Sequence, residues 1–212
     1  MLIYFLQVLA TLVCAVSGAL AAGRKSLDLF GVMVVSFAAA VGGGTLRDVF
    51  LDRNPIFWIA DSIYLPVTLS AGLLAWIYTR FWAPPLRLLE TVDAFGLALF
   101  SISGLQIAQQ SGQSHLISLV MGVITGVAGG VFRDILCGQI PAVFRSELYA
   151  SAALIGGVAY LIFVKIGISP WICVFLAALL IVTLRLAALQ WRWQLPVFVL
   201  KEGSESVCSK RS

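Results

Sequence analysis

Two short stretches place ionisable side chains inside otherwise apolar sequence: VGGGTLRDVF at residues 41–50 and VAGGVFRDIL at residues 127–136. Each joins a glycine run to an adjacent Arg-Asp pair, Arg47-Asp48 in the first and Arg133-Asp134 in the second. A guanidinium beside a carboxylate, away from water, can do one of two things. The charges can neutralise one another and close a path, or the carboxylates can stabilise a passing cation while the guanidiniums limit the charge density. The glycines Gly42, Gly43, Gly44, Gly129 and Gly130 add a further source of polarity. Consecutive glycines are predicted to break a helix, and a broken helix frees carbonyls for a cation and N–H groups for an anion. On this reading Arg47 and Arg133 bond orphan carbonyls of the preceding half-helix. Asp48 and Asp134 then lie early in the helix that follows, where the dipole favours negative charge. Thr45 and Asp48 have the T-x-x-D spacing of a capping box; in the second stretch Val131 replaces the threonine.

Composition says what surrounds these residues. Of 212 residues, 60% are hydrophobic and 11% charged, with mean hydropathy +1.00. A soluble domain carries roughly 25% charged residues, so this chain must meet lipid. Seven spans are predicted, at about Leu2 to Ala22, Leu27 to Val41, Ile56 to Tyr78, Val92 to Ala108, Leu116 to Val127, Leu148 to Ile166 and Trp171 to Leu189. The second and fifth are short and end at the glycine runs. An ionisable pair inside such segments is a functional candidate by default. The first segment lacks a basic n-region and is followed by Arg24 and Lys25, so it reads as an uncleaved helix rather than a signal peptide.

Basic residues set the expected orientation. With the N-terminus outside, the inner loops and tail hold Arg24, Lys25, Arg80, Arg87, Arg145, Arg192, Lys201, Lys210 and Arg211, against Arg53 and Lys165 outside. That bias places the C-terminus in the cytoplasm. The net charge of +4 is therefore a topology signal and not a nucleic-acid one. Residues 1–198 read as a single transmembrane domain and 199–212 as a short cytoplasmic tail.

The chain also repeats. A shift of 86 residues lays Ser17-Gly18 on Ser103-Gly104, Gly43-Gly44 on Gly129-Gly130, Arg47-Asp48 on Arg133-Asp134 and Pro55 on Pro141, without a gap. The matches fall on Gly, Arg, Asp and Pro rather than on easily shared aliphatic residues. Three spans per copy is an odd number, so the second copy enters the membrane from the opposite side, giving an inverted repeat. The first copy runs over about 2–85 and the second over about 88–168, with a seventh helix at about 171–190 outside both. The expected fold is thus an all-α integral membrane protein of seven transmembrane helices, with helices two and five broken at corresponding glycine runs. Such breaks point to a permeation or substrate site.

Other residues carry two readings each. Ser17 and Ser103 either line a path or bond the carbonyl one turn back. Asp93, at the start of the fourth span, either sits at a pore mouth or answers the helix dipole. The series Ser36, Ala40, Gly44 and Gly122, Gly126, Gly130 have small-xxx-small spacing for close helix packing. Arg185 is expected to face protein or snorkel, and His115 to be a solvated loop residue. Cys14, Cys137, Cys173 and Cys208 have no metal-ligand spacing, and no catalytic constellation or cofactor motif is present. An enzyme is not expected, nor any metal beyond a permeant ion.

At SGALAAGRKSLDLFGV, GGGTLRDVFLDRNPIFW, GVITGVAGGVFRDIL, IPAVFRSELYA and LRLAALQWRWQLPVF the chain resembles the bacterial branch of the trimeric intracellular cation (TRIC) channel family. Its bacterial members are also labelled putative glycine transporters. The resemblance covers about Leu2 to Phe198. It implies a homotrimer in the bacterial inner membrane, one hydrophilic pore per subunit, and conduction of monovalent cations, chiefly potassium. It carries a pore role onto the glycine runs, Arg47, Asp48, Arg133 and Asp134. The family often has an acid in the first span where this chain has Gln7, and Ala128 stands for the third glycine of the second motif. The alternative is a secondary transporter of glycine or another small amino acid, since broken inverted helices also suit alternating access. Membrane lipid and a permeant potassium or sodium ion are the other expected partners.

Overall fold

A computed structural model describes residues 1–85, 87–145, 148–191 and 193. The predicted tail 199–212, with Cys208, and the loop residue Arg192 lie outside the described residues. The helices are α1 (Leu2–Gly23), α2 (Leu29–Phe50), α3 (Phe57–Ala60), α4 (Tyr64–Phe81), α5 (Leu88–Gln110) and α6 (His115–Leu136). A short 3-10 helix (Ala142–Phe144), α7 (Ala150–Lys165) and α8 (Pro170–Trp191) follow. Helices α1, α2, α5, α6 and α8 are long and apolar enough to cross a membrane, while α7 is a shorter apolar helix of 16 residues.

Local chemistry sets the boundaries. Asp28 caps α2 by accepting from the Gly31 N–H at 2.7 Å, and Ser114 caps α6 by accepting from the Ile117 N–H at 3.4 Å. Pro170 opens α8, at a position where its missing N–H costs nothing. The first and last residues of α2 and α6 lie 86 positions apart, as do the capping residues Asp28 and Ser114. The left-handed backbone positions keep the same spacing: Ser26 with Gly112, and Asp52 with Gly138.

Helices α1, α2, α5 and α6 pack together at the centre, and α7 and α8 lie against α5. A main apolar cluster joins Leu97, Ile102 and Leu105 of α5 to Tyr160 of α7 and Ile181 of α8. Large apolar side chains such as Phe30, Leu74, Phe95 and Phe175 point outward, as lipid contact requires.

The predicted breaks are corrected by the structure. Helices α2 and α6 run without interruption through Gly42–Gly44 and Gly129–Gly130, each 22 residues long, or about 33 Å at 1.5 Å per residue. A glycine inside a helix costs only about 1 kcal/mol relative to alanine, and packing outweighs that here. A Cβ on Gly43 would strike the carbonyl of Thr125, and a Cβ on Gly129 would strike the carbonyl of Ala39. These contacts are reciprocal, because Ala39 and Thr125 are themselves 86 residues apart. The glycines let two backbones touch where α2 and α6 cross. Gly42 and Gly44 seat the Phe132 and Phe57 rings. The packing expectation holds upstream as well: Gly122 lies against the Ser101 carbonyl and Gly126 against that of Leu97.

Candidate functional site

Because α2 and α6 continue past the glycines, both Arg-Asp pairs fall in a last helical turn. The expectation that Asp48 and Asp134 begin a following helix is therefore overturned. So is the idea that Arg47 and Arg133 bond freed carbonyls, since the helices do not break there. Each arginine instead turns on its own neighbour. Arg47 Nε donates to Asp48 Oδ1 at 2.8 Å, and Arg133 Nε to Asp134 Oδ1 at 2.8 Å. The second carboxylate oxygen reaches the next element: Asp48 Oδ2 accepts from the Phe57 N–H and Asp134 Oδ2 from the Ala142 N–H, both at 2.9 Å. A carboxylate at a helix C-terminus faces an unfavourable dipole. Here the adjacent guanidinium and the first N–H of a short following helix offset it. Thr45 caps nothing; its hydroxyl donates to the Val41 carbonyl at 2.7 Å and accepts from Trp58 Nε1 at 3.1 Å.

The couples are buried, with Arg47 0% and Arg133 3% exposed, yet their surroundings differ. Arg133 Nη1 also donates to Ser17 Oγ at 2.6 Å and to Asp93 Oδ1. Asp93 lies in the second turn of α5 rather than at its start, and an ion pair occupies it. Gly130 forms the floor of this cluster: a Cβ there would lie 2.7 Å from the Tyr149 hydroxyl and 3.5 Å from Asp93 Oδ1. Arg185 of α8 places its guanidinium 4.9 Å from the Tyr149 ring centre. In the first half Gln7 stands where Asp93 stands in the second, and its Oε1 accepts from the Tyr64 hydroxyl at 3.1 Å. Nη1 of Arg47 has no hydrogen-bond partner among the described residues; its guanidinium lies 5.4 Å from the Phe57 ring centre. Ser103 does not reach Arg47 and bonds the Phe100 carbonyl one turn back.

The sequence reading grouped Arg133, Asp134, Asp93 and Ser17 as candidates, and the structure brings these four together. It missed Tyr64 and Tyr149. Their signal was present but displaced, since they are 85 residues apart and fall out of register by one after Pro55 and Pro141.

Polar clefts open at two separate places. One, of about 260 Å³, includes Arg133, Asp134, Asp93, Arg24, Arg87 and Arg145 in its lining. The other, of about 520 Å³, includes Tyr4, Gln7, Arg53, Gln106 and Gln110. They share no lining residue, and the α2–α6 crossing uses none of either set. Among the described residues no cluster of His, Cys, Asp or Glu suits a metal ion.

A family model described as "Glycine transporter" matches residues 4–80 and 90–165. Those two segments start 86 residues apart, as the repeat does. The UPF0126 inner membrane protein YadS of Escherichia coli (strain K12) is 39% identical over 96% of this chain and 99% of its own. A UPF0126 membrane protein of Vibrio cholerae is 41% identical over 94% of this chain and 84% of its own. The solved trimeric intracellular cation channel orthologue from Rhodobacter sphaeroides superposes with a TM-score of 0.86 at 32% identity, covering 91% of this chain and 99% of that one. A structure explaining conductance through TRIC cation channels gives 0.83 at 28% identity, covering 96% and 100%. These neighbours are channels and membrane proteins, not enzymes.

Proposed function

The chain belongs to the TRIC family, whose bacterial model carries the glycine-transporter description, and from that premise we propose that it is a monovalent cation channel conducting chiefly potassium. It works as a homotrimer in the bacterial inner membrane, with one pore per subunit. The N-terminus lies outside and the C-terminus in the cytoplasm. Seven spans, with α3 and α4 together forming the third, make two inverted three-helix repeats and a final helix. The cleft at Gln7 then opens outward and the cleft at Asp93 inward.

The observation that carries this reading is the pair of buried Arg-Asp couples at matched positions on α2 and α6, on either side of their crossing. A pore must attract an ion without trapping it. A lone carboxylate in a dry interior would bind too tightly, and a lone guanidinium would repel. Coupled, each Arg-Asp pair is neutral, and each carboxylate oxygen keeps a lone pair beyond the hydrogen bond it already accepts. Ser17 and Asp93 add oxygens at the inner couple. Gly43 and Gly129 act by bringing the two helices together, Gly42 and Gly44 by seating the Phe132 and Phe57 rings and Gly130 by flooring the inner cluster, while Ser103 bonds its own helix. The uninterrupted α2 and α6 favour a channel over a glycine transporter, because the half-helix ends that would grip a zwitterion do not form.

Recording in planar bilayers tests the proposal. Asp134→Asn is expected to change unitary potassium conductance or selectivity while the trimer stays intact. Wild-type conductance and selectivity in that variant would remove the assigned carboxylate role.

A further inference from the structure

A cleft of a different kind lies where the last two turns of α7 meet the ends of α5 and α6. Its volume is about 420 Å³. Val158, Leu161 and Ile162 belong to its lining, together with Gln109, His115 and Lys165 from helix ends on one face of the molecule. No acidic side chain is part of that lining, and Lys165 makes no ion pair among the described residues. Gln109 Nε2 lies 3.3 Å from His115 Nδ1. With the amide donating, Nδ1 accepts, and the remaining ring proton sits on Nε2 as a donor.

Depth says what covers the cleft. Val158 and Ile162 are exposed, as the outward-facing apolar residues of the other helices are. Trp171, at the start of α8 just beyond Lys165, is also exposed. An exposed tryptophan at a helix end marks the headgroup level of a bilayer. Val158 lies seven residues before Lys165 on α7, about 10 Å at 1.5 Å per residue. The cleft is thus cationic at headgroup level and apolar below it, the order of groups in a phospholipid with an anionic headgroup. The matched residue of the first half, Arg80, has its guanidinium 5.8 Å from the Trp76 ring centre. Lys165 has neither ring nor carboxylate, so its charge is left for a ligand.

We propose that this cleft seats one anionic phospholipid, with Lys165 and the His115 ring N–H on its phosphate and an acyl chain along Val158 and Ile162. The inference rests on the proposed topology for placing the lipid in the outer leaflet. The seat itself is measured without reference to orientation or current.

Native mass spectrometry of the full-length protein in detergent counts the lipids retained per subunit, with phosphatidylglycerol and phosphatidylcholine as probes. Wild type is expected to hold phosphatidylglycerol in preference to phosphatidylcholine. Lys165→Glu should lose one tightly held phosphatidylglycerol per subunit, with affinity at that seat falling about tenfold or more. Lys165→Arg should keep it. A lysine that only snorkels to the interface attracts anionic lipid without a seat. Ile162→Trp, which fills the apolar part and leaves the charge, separates the two and should lose the same lipid. Wild-type retention in Lys165→Glu or in Ile162→Trp would overturn the site. Where either variant does not fold, wild-type retention in Lys165→Gln and Val158→Phe would overturn it equally. Ile162→Trp that dissociates into single subunits with its lipid count unchanged would assign the cleft to a second copy of the chain and overturn the lipid. A Lys165-dependent lipid on a protein that passes no potassium would keep the site and overturn the channel reading alone.

Discussion

The two halves share a skeleton and differ in charge. Both end a long helix with an arginine bonded to the next aspartate, and both send the other carboxylate oxygen to a backbone N–H. In the second half Arg133 faces two carboxylates and a serine from the opposite repeat. In the first, Arg47 has one carboxylate and an aromatic ring, and the position that matches Asp93 holds a glutamine engaged by Tyr64. The comparison separates two functions that the motif alone confounds. The couple closes the helix end, and the groups around it set how much charge a passing ion meets.

The largest expected effect breaks the weaker half. Asp48→Asn removes the one carboxylate bonded to a fully buried guanidinium, and should destabilise the protein by about 3–5 kcal/mol. Asp134→Asn should cost clearly less, since Asp93 still faces Arg133. Thermal unfolding in detergent compares the two; equal losses would mean that Asp93 contributes nothing. Next comes the crossing. Gly43→Ala or Gly129→Ala puts a methyl into a backbone carbonyl and should cost about 1–3 kcal/mol, measured the same way, with matched losses at the matched positions.

Gln7→Asp tests whether the missing acid is the main difference between the halves. It gives Arg47 the second carboxylate that Arg133 has, and single-channel recording should show higher potassium conductance with stability maintained. A last pair is Ser17→Ala against Ser103→Ala. The first removes a hydrogen bond to a charged group, worth about 1.5–3 kcal/mol. The second removes only a bond to a helix carbonyl and should leave unfolding unchanged.

Much of this was legible in the sequence, for identifiable reasons. Apolar segment length located the five helices long enough to cross a membrane, and the 86-residue shift paired Arg47-Asp48 with Arg133-Asp134. What misled was the glycine run. Local propensity says that consecutive glycines end a helix, but the deciding partners are the carbonyls of Ala39 and Thr125, and Thr125 is 82 residues from the glycine it meets. Once the helix continues, the cap at Thr45 and the dipole role of Asp48 disappear together. Gln7 was legible only as a departure from a family pattern.

Channel and transporter part in one experiment: purified protein in a planar bilayer under a potassium chloride gradient, with glycine then added to either side. A potassium channel gives discrete unitary currents that reverse near the potassium equilibrium potential and are unaltered by glycine. Silent bilayers, together with saturable glycine uptake into liposomes made from the same preparation, would contradict it.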